Sequence, residues 1–381
     1  MIRDQTPIPA EARAVLTINL AALRANWGEL NRVSGRAECA GVIKANAYGL
    51  GIEQITRALV AEGCETFFVA TLAEARIVRS VNPGGAIYVL DGLLPGASPN
   101  YAGFDLRPCL ASLAEVREWA AYCDATGRRL RAALHIDTGL HRLGLPAAEV
   151  DQLAGEERCL LEHFELSLVM SHLACADEQE SPMNPMQLAR FEAQRARLPP
   201  APASLANSGG TFLGTAYHFD LVRPGIALYG GRAFEGNHNP MQWVVQLQAR
   251  ILQVREVGPG QPIGYGGTWL TERPSRMATL ACGYADGFLR ALSGPSGKPG
   301  PVGYIGEHAV PVVGRVSMDL ITVDVTDVPA HLAQRGAWVE VMGARTTIDD
   351  LTDRAGTIGY ELLTRLGQRV HRIYLDQATT A

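Results

Sequence analysis

Between about residue 15 and residue 230 the chain repeats one alternation: a short apolar run, then a longer stretch whose apolar residues recur three and four apart. Strand-like runs lie at Cys39 to Ala45, Phe67 to Ala70, Ile87 to Leu90, Leu130 to Ile136, Leu166 to Ser171, Ser204 to Ala206 and Phe219 to Arg223, with a weaker one at Asp105 to Arg107. The stretches between them carry helix signals. Asn19 can cap a helix with Leu20, Leu23, Trp27, Leu30 and Val33 on its buried face, and Gly63 can stop one with Ile52, Ile55 and Leu59 on its own. Leu72 to Val81, Leu113 to Tyr122, Ala147 to Leu153 and Gln187 to Leu198 have the same spacing. Strands separated by helices pair in parallel through crossovers, and eight of them predict a (β/α)8, TIM-like barrel.

After Gly231 the texture changes. Asn237 to Pro240 is a polar, turn-rich linker. Beyond it, alternating runs broken by Gly and Pro at Val244 to Val254, Met277 to Cys282, Val310 to Val313, Leu320 to Val325 and Trp338 to Met342 predict a mainly-β C-terminal domain. It holds one helical stretch, Thr357 to Leu366, and a Gly/Pro-rich surface loop, Gly294 to Gly303. The expected division is 1–236 for the barrel and 237–381 for the β-rich domain, with the first twelve or so residues free to pack on the latter.

Composition excludes several partners. With 34 basic and 39 acidic residues, a net charge of −5 and no basic block, the chain has no nucleic-acid surface. It lacks an apolar stretch of about 18 residues, so no membrane partner is expected. MIRDQTPIPAEARAV has no basic region leading into an apolar one, and the seven cysteines have no paired spacing. Together these predict a cytoplasmic protein with reduced thiols, no disulfide framework and no metal site.

Only two of the 34 basic residues are lysines, Lys44 and Lys298. Lys298 sits in the Gly/Pro loop and reads as solvated. Lys44 follows apolar Val42 and Ile43 at the end of the first strand. It can be a side chain snorkelling from a strand end, or a desolvated amine forming a Schiff base with a carbonyl cofactor. Lysine scarcity favours the second reading, because arginine cannot deprotonate to act as a nucleophile.

Other chemically useful residues fall at equivalent places. His135 and Arg142 follow strand five, His172 strand six, Asn207 and Ser208 strand seven, and Arg223, Gly225 and Ile226 strand eight. In a barrel these ends converge on the carboxyl-terminal face, where active sites form and where the last two loops commonly bind phosphate. Singly each has a structural reading: Ser208 as a helix cap, His172 as a satisfied core histidine, Arg223 in an ion pair. Their joint placement points to a site.

The segments VIKANAYG, HIDTGLHRLG, SHLACADE, ANSGG, RPGIALYG, GYGGT, GYADG, VGRVSMD and YELLTRL follow, in order, the motif set of bacterial alanine racemases, which the chain resembles from about residue 14 to 376. The resemblance implies a fold-type III enzyme dependent on pyridoxal 5'-phosphate (PLP), working as a homodimer that interconverts L- and D-alanine with two bases. Lys44 would hold PLP. Tyr48, Asn207, Ser208, Gly225, Ile226 and Tyr360 match positions around its phosphate, His172 the histidine against its ring, and Arg223 the arginine facing the pyridine nitrogen. Lys44 would handle the D-alanine proton and Tyr265 the L-alanine proton. From its residues alone, Tyr265 could equally be an aromatic filling a Gly-rich turn, and a base role needs a cation nearby to lower its pKa. Arg142 and the backbone N–H of Met318 match the substrate carboxylate contacts, and Tyr284 and Asp319 the access channel. Tyr265 and Met318 would come from the partner subunit. Tyr360, Tyr284 and Met318 would wall a site fitting a methyl side chain.

One position departs from the pattern. Many relatives place a carbamylated lysine seven residues before the carboxylate arginine, where this chain has His135. Neutral histidine brings no negative charge, so a bound anion or a rearranged Asp137 would have to brace Arg142. Among competing functions, a PLP-carrier barrel would end after one domain, and a decarboxylase of this fold would place a carboxylate where Arg223 stands. A broad-specificity or serine racemase of the same fold is the remaining alternative.

Overall fold

The computed structural model describes residues 8–236 and 238–376. Residues 1–7 of the expected amino-terminal segment, and Asn237 at the head of the expected linker, lie outside the described residues. The chain packs as two compact units, one of residues 24–228 and 232–241, the other of residues 8–23, 229–231 and 242–376.

The first unit is the barrel. Gly41–Val42, Thr66–Val69, Ala86–Val89, Arg107–Leu110, Arg131–His135, Glu165–Met170 and Ala203–Ser204 form a parallel sheet in chain order. The eighth strand, Leu221–Val222, pairs in parallel with Glu38–Cys39, just ahead of the first. Backbone bonds from Arg223 N to Ala206 O (2.9 Å) and from Val42 N to Pro224 O (3.2 Å) join it to both neighbours, so the row of strands returns on itself. These strands read as apolar runs because parallel strands are covered on both faces: all four residues of Thr66–Val69 are buried. The helix signals also materialise. Asn19 Oδ1 accepts from Ala22 N at 3.0 Å ahead of Leu20–Ser34, and Gly63, at φ 101°, ends Ile52–Glu62.

Two barrel expectations shift. The first strand does not run on to Ala45 but stops at Val42, because Lys44–Tyr48 coils instead. The weak fourth strand lies at Arg107–Leu110, after Asp105 turns the chain at φ 49°.

The second unit is the mainly-β one. Ser275–Leu280, Ile321–Asp324, His308–Val313, Val302–Ile305, Trp338–Met342 and Val245–Val257 neighbour one another in that order, and the last also pairs with the first, closing an antiparallel barrel. The long Val245–Val257 serves both neighbours by bulging twice, near Leu247 and near Ile251. Ala14–Asn19, wholly buried, adds to this sheet between Val245–Val257 and His371–Leu375. Val302–Ile305 begins inside the segment expected to be loop, and the expected helix Thr357 to Leu366 is shorter, Gly359–Thr364, with Ile348–Ala355 before it. No helix among the described residues is long and apolar enough to cross a membrane.

Candidate active site

Lys44 opens a five-residue turn, Lys44–Tyr48, in which four residues without glycine's freedom are left-handed: Ala45, Asn46, Ala47 and Tyr48 have φ between 53° and 56°. Left-handed backbone costs L-residues roughly 1–2 kcal/mol each, so this turn exists only because its surroundings hold it. Gly49 N bonds Ala45 O at 2.8 Å and Gly51 N bonds Asn46 O at 3.0 Å. Asn46 N donates to Glu74 Oε1 at 3.1 Å, and Asn46 Oδ1 accepts from Ile52 N at 2.9 Å. The turn sets Lys44 and Tyr48 at its two ends. Lys44 is half-buried, and burial first, then the positive charge of Arg142, pushes its ammonium below the ordinary lysine range, against Asp91 and Glu74.

Tyr48 is buried, with its hydroxyl against Gly225 so closely that a methyl group there would overlap Tyr48 Oη. The Gly225 and Ala227 amides donate to Ser208 Oγ at 2.8 and 3.4 Å. Asn207 Oδ1 accepts from Gly210 N at 2.9 Å, and a Cβ on Gly209 would lie 2.6 Å from Ala176 O. Tyr48, Asn207, Ser208, Gly225 and Ile226 therefore share one corner of the barrel mouth, rich in N–H and O–H donors and closed to larger side chains.

Arg223 is 4 % exposed. Its Nη1 donates to Ser204 Oγ and its Nη2 to Ser171 O at 2.5 Å, bonds that use both Nη nitrogens and leave Nε out. Burial lowers it to about 10, so it stays charged near neutrality. His172 and His135 share this cationic interior. Burial, then Arg223, holds both below the ordinary histidine range, His135 at about 4. His135 Nδ1 is buried with no partner among the described residues.

Arg142 lies exposed in a loop shaped by Asp137. Asp137 Oδ1 accepts from the amides of Gly139, Leu140 and His141 at 2.9–3.1 Å, and Oδ2 pairs with His141 Nδ1 at 2.8 Å. Asp137 is thus committed to its own loop, which corrects the expectation that it could brace Arg142. Glu74 and Asp91, whose charges act on Lys44, were not among the expected site residues. The pattern Thr71-x-x-Glu74 is a capping-box signature that could have pointed to the first.

The β-rich unit carries the rest. Tyr265 is 73 % exposed on a turn where Gly264, Gly266 and Gly267 all have positive φ. A Cβ at Gly266 would lie 3.1 Å from Arg315 Nη1, so a guanidinium flanks the tyrosine's turn. Ala285 N donates to Met318 O at 3.0 Å, while no described residue accepts from the Met318 N–H. Asp319 Oδ1 pairs with Arg369 at 2.6 Å. Tyr284, Met318 and Tyr360 are exposed.

Fold and residues together define a class: a parallel barrel with a half-buried lysine and a donor-rich, glycine-lined corner in its mouth, joined to a mainly-β unit. Family comparison narrows it. Residues 18–233 match the alanine racemase N-terminal domain and residues 244–374 the alanine racemase C-terminal domain. The chain belongs to the alanine racemase family and is an isomerase, as its motif order implied. It is 50 % identical over 363 residues to the alanine racemase of Methylobacterium sp. (strain 4-46), covering 95 % of this chain and 98 % of that one. It is 46 % identical to the catabolic alanine racemase of Mesorhizobium japonicum, over 96 % of this chain and 94 % of the relative. Among solved structures, alanine racemase from Bartonella henselae with covalently bound pyridoxal phosphate superposes with a TM-score of 0.89 at 39 % identity, covering 96 % of this chain and 100 % of that one.

Proposed function

We propose that this chain interconverts L-alanine and D-alanine, with PLP held covalently by Lys44 and the Cα proton handled by Lys44 on one face and by Tyr265 of a second copy on the other. The observation that carries the proposal is the pairing, in one barrel mouth, of a lysine whose charge is disfavoured with a donor corner fit for a phosphate. The residues present suit that cofactor. The hydroxyls of Tyr48 and of Ser208, whose Oγ the Gly225 and Ala227 amides hold, would donate to an anion where no side chain larger than hydrogen fits at Gly225. Tyr360 would add a further phosphate contact and His172 would pack on the ring.

When bound, PLP supplies the electron withdrawal that acidifies the Cα–H. The protein supplies the proton transfers. Lys44, its ammonium held below the ordinary lysine range by burial and Arg142, would release and accept a proton at Nζ. Arg223, anchored through both Nη atoms, would donate a hydrogen bond to the ring nitrogen from Nε without giving up its proton, which favours returning the proton to Cα over moving it elsewhere. Tyr265 must lose its own proton to act as a base, and the Arg315 guanidinium stands beside its turn. Arg142 and the Met318 N–H would bind the substrate carboxylate. Because Asp137 is committed, a small anion shared by Arg142 and His135 Nδ1, which has no partner among the described residues, would brace Arg142. Met318, Tyr284 and Tyr360 would wall the side-chain pocket, with Asp319 beside the access channel.

The same reading makes the assembly a homodimer, which the exposure of Tyr265 on its glycine turn supports. A cytoplasmic location agrees with seven free cysteines, Cys159 exposed among them.

The test mixes the purified, PLP-loaded protein separately with L-alanine and D-alanine and follows optical rotation with the visible band of the bound cofactor. Racemisation from both sides is expected, and Lys44→Ala should abolish both the band and the turnover. A band that survives Lys44→Ala removes Lys44 as the anchor.

A further inference from the structure

Glu74 is outside the residues expected to touch cofactor or substrate, yet its carboxylate ties together two pieces of the barrel mouth. Oε2 accepts from the Ala70 and Thr71 amides at 3.0 and 3.2 Å, completing the cap of helix Leu72–Val81, while Thr71 Oγ1 accepts from Glu74 N. Oε1 reaches the other way, to the Asn46 amide at 3.1 Å, inside the left-handed turn. Asn46 in turn fastens the far end of that turn, its Oδ1 accepting from Ile52 N at 2.9 Å.

We propose that Glu74 is a positioning residue, holding the left-handed turn 45–48 so that Lys44 and Tyr48, at its two ends, meet one bound cofactor together. The inference rests on the reading of Lys44 as the covalent anchor.

Two observations separate this role from helix capping. Another capping box among the described residues, Thr347 with Asp350 at the head of Ile348–Ala355, works with the shorter acid: Asp350 Oδ2 accepts from Thr347 N at 2.8 Å and from Thr347 Oγ1 at 2.7 Å. A cap therefore needs only an aspartate, and the extra methylene of Glu74 is what lets its second oxygen reach Asn46. Asn46 also sits at φ 56°, ψ 47°, so its N–H is turned away from any right-handed helical acceptor, and Glu74 supplies a charged one. The same carboxylate, with Asp91, favours the protonated form of Lys44, so its loss would act on both the position and the charge of that amine.

The experiment uses the PLP-loaded protein. Glu74→Asp keeps the cap and withdraws the oxygen from Asn46. Glu74→Gln keeps the length and removes the charge. Thr71→Ala breaks the cap and leaves the Glu74–Asn46 bond. Cofactor release is followed by decay of the visible band during dialysis, and melting is recorded for each variant. Glu74→Asp is expected to melt within about 2 °C of the parent and to lose the cofactor at least about tenfold faster, as the loss of one charged hydrogen bond implies. Glu74→Gln should also release it faster. Thr71→Ala should melt lower and hold the cofactor as the parent does. If Glu74→Asp and Glu74→Gln both retain the cofactor like the parent, or if Thr71→Ala releases it as fast as they do, Glu74 is only a cap and the proposal fails. Failure of the Lys44 reading shows separately, as a band that survives Lys44→Ala.

Discussion

Gly225 illustrates how the site depends on what is missing from a residue. A methyl group there overlaps the hydroxyl of the buried Tyr48, so Gly225→Ala must push that hydroxyl out of the donor corner. We expect a folded protein whose PLP affinity falls by about tenfold or more, read by titrating cofactor into the stripped protein; unchanged affinity would place the phosphate elsewhere. His135 makes a different kind of prediction. Folded, it is held at about 4 by burial and by Arg223, against an ordinary 6.5. Between those values only the unfolded chain binds the proton, so acid lowers stability through that window, by up to about 3 kcal/mol. His135→Gln should remove this share, so that the urea-unfolding free energy falls less between pH 7 and 4.5 than in the parent, by about 2 kcal/mol. Lys44 stood out as a candidate by its rarity, and Arg223 by its place after the last strand. The commitment of Asp137 was not, because three amides of its own loop converge on one carboxylate oxygen only once that loop has folded.

At the scale of elements, the eight strand runs were legible because burial on both faces leaves them mostly apolar, and the first helix start was legible where Asn19 caps it. The left-handed turn was not. Its sequence, Ala-Asn-Ala-Tyr, contains no glycine, and the acceptor that sustains it, Glu74, lies 28 residues further on. His371–Leu375 was missed for a related reason, because its partner Ala14–Asn19 lies at the other end of the chain, whereas Val302–Ile305 was missed because the Gly and Pro around it read as loop although it forms a hairpin with His308–Val313. The capping boxes also differ in what they serve. Thr347→Ala should cost about 1 kcal/mol in chemical unfolding and leave turnover unchanged, since that box holds only its own helix; a large loss of activity would contradict this division of roles.

At the scale of the whole molecule, the described chain passes from the β-rich unit through the barrel and back. AVLTIN reads equally well as a strand of either unit, and only its pairing with Val245–Val257 and His371–Leu375 decides between them. The proposed catalysis depends on the same separation. Lys44 belongs to one unit and Tyr265 to the other, and in the proposed mechanism the working pair comes from two different copies of the chain. Tyr265→Phe alone should lower racemisation by about 10²–10⁴-fold, the range of a general base, while leaving the cofactor band intact. The most direct measurement mixes two inactive proteins, Lys44→Ala and Tyr265→Phe, under conditions that let dimers exchange. Random pairing gives half mixed dimers, each with one site that has both Lys44 and Tyr265, so about a quarter of the parent's alanine racemisation should return. A mixture that stays as inactive as its components would contradict the account.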